Sequence, residues 1–389
     1  MIPSNNPIYL DYHATTPVDL RVADRVYQAM TLEFGNASSI DHEYGDRAEA
    51  AVNQAAKHLA NLVGASPREI IWTSGATESI NLAIEGSLPP NPVKPYRIAL
   101  LPLEHKAILD TCQIYEQRGW AELIYLEVDS QGRPNLDRIE QVCVQGLSLL
   151  CVMAANNEIG NIYPIDKIGQ IAQKYQVPLL CDASQVVGKI EIDFSNWGIT
   201  FLAISGHKLY APKGIGALVV RKGTRLQPQI FGGGHQRGLR SGTLNVPGIV
   251  GLGEACRLTQ AEMAEDQTAI TARRDRLQSL LSNAIPNLVI NGDLEHRLAA
   301  NLHISIPGVP NSAVIARIRH QLAISTGSAC SSGVEAPSHV LRALQLPEDL
   351  VTGALRIGIG KFTTDDEIDR AAEILIRNIK AIQLLMSED

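Results

Sequence analysis

From about residue 69 to residue 222 the chain alternates short, almost wholly apolar runs with longer segments in which apolar residues recur every three or four positions. The apolar runs are Glu69–Thr73, Arg97–Leu101, Leu123–Val128, Leu147–Met153, Pro178–Cys181, Phe201–Ile204 and Ala217–Val220. Continuous apolar runs of this length predict strands buried on both faces. The segments between them, Lys106–Arg118, Leu136–Val144 and Ile165–Tyr175, carry helical spacing. Such alternation predicts an α/β fold: a mostly parallel, seven-stranded sheet flanked by helices. Before it, Ala48, Ala51, Val52, Ala55, Leu59, Leu62 and Val63 define a helix over Tyr44–Val63, with Gly64 where a C-cap is wanted.

The texture changes after Gly251. A long helical pattern covers Val250–Asn283. Short strands are expected at Leu288–Ile290, Leu302–Ile306 and Leu355–Ile359, and helices at Ser312–Gln321, Ser338–Leu344 and Asp365–Leu384. This predicts a smaller α+β domain. The division expected is a large domain over residues 15–258 and a small one built from 1–14 and 259–389. A length of 389 residues agrees with two domains at roughly 100–200 residues each.

Composition narrows the partners. The net charge of −7, without a long basic run, argues against nucleic-acid or anionic-membrane binding. No apolar run approaches the ~20 residues of a membrane helix, and Met1–Asn6 has no signal-peptide pattern. Six cysteines without a C-x-x-C pair suit a reducing, cytoplasmic setting.

Chemistry concentrates at strand ends. Ser205-Gly206-His207-Lys208 follows the run Ile199–Ile204. A lysine at the mouth of a buried strand is well placed for a Schiff base with pyridoxal phosphate, with Ser205 and His207 on the phosphate. Thr73–Glu78 is a small-residue turn before a helix, suited to a phosphate dianion or to ordinary capping. Asp182 ends its apolar run, where it can pair with a protonated pyridinium nitrogen or cap a helix. Gln185 lies within reach of the ring phenolate. One of Asn156 and Asn157 can contact the ring or a substrate carboxylate, although a turn explains the pair nearly as well. His105 follows Arg97–Leu101 and can stack on the ring and exchange protons. Arg356, inside an apolar strand, needs an anion, either a substrate carboxylate or a structural Asp or Glu. Five cysteines fall in apolar or helical patterns; Cys330 lies in the small-residue loop Ser325–Gly333 and is the candidate reactive thiol.

Together, Tyr9–Asp19 (YLDYHATTPVD), Thr73–Ser79 (TSGATES), Glu104–Cys112 (EHKAILDTC), Asn156–Gly160 (NNEIG), Ser205–Leu218 (SGHKLYAPKGIGAL), Gly232–Leu244 (GGGHQRGLRSGTL) and Gly327–Leu344 closely resemble the pyridoxal-phosphate-dependent cysteine desulfurases of the iron–sulfur-assembly and nitrogen-fixation type. The loop around Cys330 (about 325–337) looks like that family's long-loop branch. The resemblance implies a fold-type I enzyme that converts L-cysteine to alanine. It implies Lys208 as the cofactor lysine and Ala76, Thr77, Ser205 and His207 on the phosphate, joined by Thr243 from the other subunit of a homodimer. It also implies Asp182 and Gln185 tuning the ring, His105 stacking on it, and Asn157 with Arg356 on the substrate carboxylate. Cys330 would be the nucleophile that keeps the sulfur as a persulfide for acceptor or iron–sulfur scaffold proteins, with transient ligation of a cluster as its one conceivable metal role. The chain departs from cluster-assembly relatives in stopping at Met386–Asp389, where many extend to dock a scaffold, so the resemblance leaves scaffold docking by this chain open. Two rivals remain at this stage. One is a cystine or selenocysteine lyase, or another pyridoxal phosphate enzyme of the same fold. The other is a non-enzymatic sulfur carrier using Cys330 alone.

Overall fold

The computed structural model describes residues 6–327 and 338–386. The expected seven strands form one sheet. Across it, Ile70–Thr73, Gly216–Val220, Phe201–Ser205, Leu179–Asp182, Leu149–Cys151, Tyr96–Leu100 and Ala121–Tyr125 lie side by side. Only Gly216–Val220 runs antiparallel to its neighbours. Phe201–Ser205, Leu179–Asp182, Leu149–Cys151 and Gly216–Val220 are buried at every position. That is the burial a helix-covered parallel sheet demands and the reason these runs lack polar alternation. Thr73, Leu100, Cys151, Asp182 and Ser205 therefore all end at one edge of the sheet.

The flanking helices keep the expected bounds within a few residues: Glu43–Val63, Lys106–Gln117, Leu136–Val144 and Ile165–Lys174. Gly64 takes the left-handed conformation (φ 68°) and its N–H closes the helix onto Ala60. Asn135 caps Leu136–Val144 by accepting from the Arg138 N–H at 3.1 Å. The helix Leu20–Thr31 was not anticipated.

The long helix runs further than its apolar pattern, over Val246–Ala284, 39 residues. Its first third (Val246 to Leu258) packs into the core around the large sheet. Ile270, Leu277 and Leu281 belong to a second core with Leu302, Ile304, Leu355, Ile357, Ile368 and Leu375. That core covers a three-stranded antiparallel sheet of Val289–Ile290, Asn301–Ser305 and Ala354–Gly358. The N-terminal segment joins it: Ile8–Tyr9 pairs in parallel with Leu322–Ala323, and Ile8 and Leu10 lie in the second core. The same segment then crosses to the large sheet, where the Thr16 hydroxyl donates to the His207 carbonyl at 3.0 Å. No helix among the described residues is long and apolar enough to cross a membrane.

At the carboxyl edge of the sheet the backbone is crowded. A Cβ on Gly216 would lie 2.6 Å from Gly75 Cα, in the turn that starts the helix Ala76–Ser87. That atom and the other close neighbour, the Ile204 carbonyl oxygen, are main chain and cannot rotate away. Gly216→Ala is expected to destabilise the protein by about 1–3 kcal/mol, the usual cost of overpacking, read as a lowered midpoint in thermal or urea denaturation.

Candidate active site

The strand ends surround a cavity of about 490 Å³. Its walls include Ala76, Thr77, His105, Asn157, Asp182, Gln185, Ser205, His207, Lys208 and Arg356. These are ten of the twelve residues singled out from sequence. Thr243 does not line it and is exposed. Cys330 lies outside the described residues.

One end of the cavity suits an anion. The helix Ala76–Ser87 begins after Gly75, which makes no side-chain cap, so the first N–H groups face the cavity with the positive end of the helix dipole behind them. A Cβ at Gly75 would meet no protein atom within 4 Å, so the space beside the helix start is open. His207 and Lys213 stand in the same wall. His207 is pushed down to about 4 by burial and by the Lys208 and Lys213 charges, and its Nδ1 lies 3.1 Å from the Thr15 hydroxyl. It therefore offers the anion a neutral imidazole. Glu78 faces this region but is occupied: it accepts from the Ser74 N–H at 2.8 Å and pairs with Arg240 at 2.8 Å. Burial alone would raise its pKa; Arg240 and Ser74 outweigh that and lower it.

Asp182, buried at the end of its strand, supplies a carboxylate elsewhere in the wall. It does not cap a helix. Its Oδ1 accepts from the Ser184 N–H (2.9 Å) and hydroxyl (2.6 Å), which fixes the carboxylate's orientation. Lys208 sits on the short turn Gly206–Lys208 directly after Phe201–Ser205. Its Nζ donates to the carbonyls of His13 and of Ala14 (2.8 Å), at the tip of the N-terminal segment. His105 caps the helix Lys106–Gln117, its Nδ1 accepting from the Ala107 N–H at 3.1 Å. That bond fixes the proton of a neutral ring on Nε2.

The Asn pair divides its work. Asn156 builds the turn, accepting from the Glu158 and Ile159 N–H groups at 2.8 and 3.0 Å. Asn157 lines the cavity. Arg356 is 1% exposed and bonds Asp11 at 2.9 Å and the Asn157 carbonyl at 3.2 Å. The structural ion pair considered for it thus exists. Its Nε has no hydrogen-bond partner among the described residues, and the side chain still borders the cavity. Asp11 is raised by burial, against which Arg356 works only partly. The five cysteines Cys112, Cys143, Cys151, Cys181 and Cys256 are buried, and burial raises the thiols of Cys143, Cys151, Cys181 and Cys256, as expected for packing residues.

Two residues, one in this wall and one behind it, escaped the sequence reading as individual candidates. His13, 1% exposed, sits inside the quoted YLDYHATTPVD segment. Its Nε2 faces Asn301 Nδ2 at 3.2 Å, and that nitrogen also donates to the Glu158 carbonyl at 2.8 Å. Nε2 must therefore accept, and Nδ1 carries the proton toward Gln185 Oε1 at 3.2 Å. Lys189, the second, has its Nζ 3.2 Å from the same Oε1. Gln185 thus already makes three contacts: these two and an Nε2 bond to the His13 carbonyl at 3.1 Å. One Nε2 hydrogen remains for a ligand.

An anion cradle, an oriented carboxylate, an imidazole and a lysine amine around one cavity are the groups that hold pyridoxal phosphate, so the residues present fit that cofactor. Comparison with known proteins agrees. Residues 8–371 match the family model described as aminotransferase class-V. The cysteine desulfurase IscS of Tolumonas auensis is 46% identical over 95% of this chain and 92% of its own. A solved NifS-like protein superposes with a TM-score of 0.89 at 32% identity, covering 96% of this chain and 99% of the other. A structure of SspA in complex with cysteine has a TM-score of 0.81 at 32% identity, over 92% and 99% of the two chains. The chain belongs to the class-V aminotransferase family, on its cysteine desulfurase branch, whose members are pyridoxal-phosphate-dependent enzymes.

Proposed function

We propose that this cysteine desulfurase works through Lys208 and Cys330: Lys208 carries the cofactor, and Cys330 takes the sulfur of L-cysteine as a persulfide, leaving alanine. The observation that carries the reading is the convergence of Lys208, Asp182, His105 and the uncapped helix start on one cavity. The bound cofactor supplies an electron sink for the substrate's Cα. The chain's own residues do the rest. Ala76, Thr77, Ser205 and His207 hold the phosphate. Asp182, its Oδ1 pinned by Ser184, holds a proton on the ring nitrogen. Gln185 would give its remaining hydrogen to the ring oxygen, and His105 would stack on the ring and exchange protons with the substrate. Arg356 and Asn157 receive the substrate carboxylate, Asp11 being the internal anion that the carboxylate joins. Lys208, as a free amine, would move the proton at the substrate's Cα.

Atoms balance at the sulfur step. The Cys330 sulfur bonds to the substrate sulfur and the carbon–sulfur bond breaks. Its electron pair stays on carbon, which takes up a proton and departs as alanine.

A homodimer is part of this reading, supported by Thr243 being exposed and absent from its own cavity. Leu20, Tyr27, Met30, Leu32, Phe34, Ile40 and Phe231 are also exposed, an apolar surface suited to a second copy. The division into residues 15–258 and 1–14 with 259–389 is proposed on the second core, which gathers Ile8 and Leu10 with residues 270–382, although Leu298, Val340, Leu341, Leu344, Val351 and Ala354 pack into the core of the large sheet. A cytoplasmic setting suits the buried thiols. Acceptors of the persulfide would be sulfur-carrier or iron–sulfur scaffold proteins.

The test is to incubate the cofactor-loaded enzyme with L-cysteine and a thiol reductant and to quantify products. Equal amounts of alanine and sulfide are expected; pyruvate in place of alanine would point to the lyase alternative.

A further inference from the structure

The anion end of the cavity holds a conflict of charge. The helix Ala76–Ser87 presents its uncapped start there, yet Glu78, in the same first turn, also lines the cavity. Its carboxylate has local work: Oε2 accepts from the Ser74 N–H at 2.8 Å and so holds the turn that opens the helix. A negative side chain in a first turn suits the helix dipole, but it opposes any other anion bound at the same place.

The charge is met from outside the cavity. Arg240 is not part of the wall, but its guanidinium grips both oxygens of Glu78, Nε to Oε1 at 2.8 Å and Nη2 to Oε2 at 3.2 Å. The two side chains are 22% and 18% exposed, so salt screens this pair less than an open surface pair. Among the described residues no other cation pairs with Glu78. The segment before Arg240 is itself fastened. Gln236 lays its side-chain amide along the main chain of Trp72, accepting from the N–H at 2.6 Å and donating to the carbonyl at 2.9 Å. Trp72 lies on the edge strand Ile70–Thr73, just before the turn that Glu78 holds. Arg237 donates to the Ile70 carbonyl at 3.3 Å. Gln236 and Arg237 both take the left-handed conformation (φ 52° and 62°), which non-glycine residues adopt only at a cost. One short segment thus grips the sheet edge on one side of the turn and the helix on the other.

Resting on the reading of this end of the cavity as the phosphate site, we propose that Arg240 is a positioning residue for the cofactor: it neutralises Glu78, so that one carboxylate holds the turn without repelling the phosphate dianion. Unpaired, that carboxylate would share a wall with the dianion in surroundings partly shut off from water, where like charges repel strongly. Arginine suits the task because its planar fork engages both oxygens at once and keeps the carboxylate turned toward Ser74.

The experiment uses cofactor-stripped protein and compares pyridoxal phosphate with pyridoxal, which has the same ring and aldehyde but no phosphate. Binding is titrated by the visible absorbance that grows as the lysine nitrogen forms its C=N bond and the aldehyde oxygen leaves as water. Arg240→Met is expected to raise the dissociation constant for pyridoxal phosphate about tenfold or more and to leave that for pyridoxal within about twofold. Adding Glu78→Gln to Arg240→Met removes the charge but keeps an oxygen for the Ser74 N–H, and is expected to return the constant to within about threefold of wild type. Glu78→Gln alone leaves Arg240 as an unpaired cation beside the phosphate and is expected to bind pyridoxal phosphate as tightly as wild type or more tightly. A merely structural role for Arg240 would weaken both ligands in proportion, and the second substitution would not repair the loss. The proposal is overturned if Arg240→Met binds pyridoxal phosphate like wild type, if it loses pyridoxal in the same proportion, or if Glu78→Gln fails to restore binding in the double variant. Should Arg240→Met not fold, Glu78→Gln decides: weaker binding of pyridoxal phosphate than wild type overturns the proposal. If wild type binds pyridoxal as tightly as pyridoxal phosphate, the phosphate site itself is misplaced, a failure separate from that of Arg240.

Discussion

Lys208→Ala is expected to abolish desulfuration, lowering turnover by at least about 10³-fold, within the range for losing a group that both anchors reactant and moves a proton. The side chain holds no part of the core together. Its Nζ donates to the main-chain oxygens of His13 and Ala14, both at the cavity wall, where water can replace the amine. Melting temperature should therefore change little while chemistry disappears. Borohydride reduction of wild type should fix cofactor mass on the peptide containing position 208, and the variant should fix none there. A small primary amine added to the variant should restore part of the proton-moving function, because the space left by the butylamine chain opens into the cavity. A variant that turns over cysteine at the wild-type rate would sink the assignment and the mechanism built on it.

The sheet was legible because its strands are buried at nearly every position. Leu149–Cys151 or Phe201–Ser205 can only be written as an apolar run. Site residues at strand ends were legible for the same reason: Asp182 and Lys208 are polar residues placed where the apolar run stops. The helix Leu20–Thr31 was not, because only Val22 and Ala29 are buried while Leu20, Tyr27 and Met30 face outward, which blurs the helical period. His13 and Lys189 were missed because their importance lies in partners 172 and 4 residues from Gln185, and only folding brings all three together. A signal existed for Lys189: a lysine in Val186-Val187-Gly188-Lys189-Ile190, close after an apolar strand, is as anomalous as Arg356 in its own strand. Thr243 could not be read from one chain's periodicity at all, since its proposed role lies in a second copy. Arg356 shows the opposite limit. The sequence demanded an anion without saying which, and the fold supplies Asp11 while leaving the guanidinium at the cavity wall.

Cys330→Ser separates the two halves of the reaction. Lys208, Asp182 and the phosphate cradle are untouched by the substitution, so the variant should load cofactor and change its visible spectrum when L-cysteine is added. A serine hydroxyl, with a pKa far above that of a thiol, offers no thiolate to attack the substrate sulfur. Alanine and protein-bound persulfide should both fall by more than about 10²-fold. None of the five buried cysteines can substitute. Cys143, Cys151, Cys181 and Cys256 have raised thiols, burial being the largest cause in each, and Cys112 is buried in the core beside the sheet. Persulfide is best read by trapping with an alkylating agent and mapping the modified peptide, since a sulfur atom held elsewhere would add the same mass to the intact protein. Wild-type alanine formation by Cys330→Ser would mean that the carbon–sulfur bond breaks without this thiol, as in a lyase. Loss of the spectral change as well would mean that position 330 acts earlier, in binding cysteine, and not as the acceptor of its sulfur.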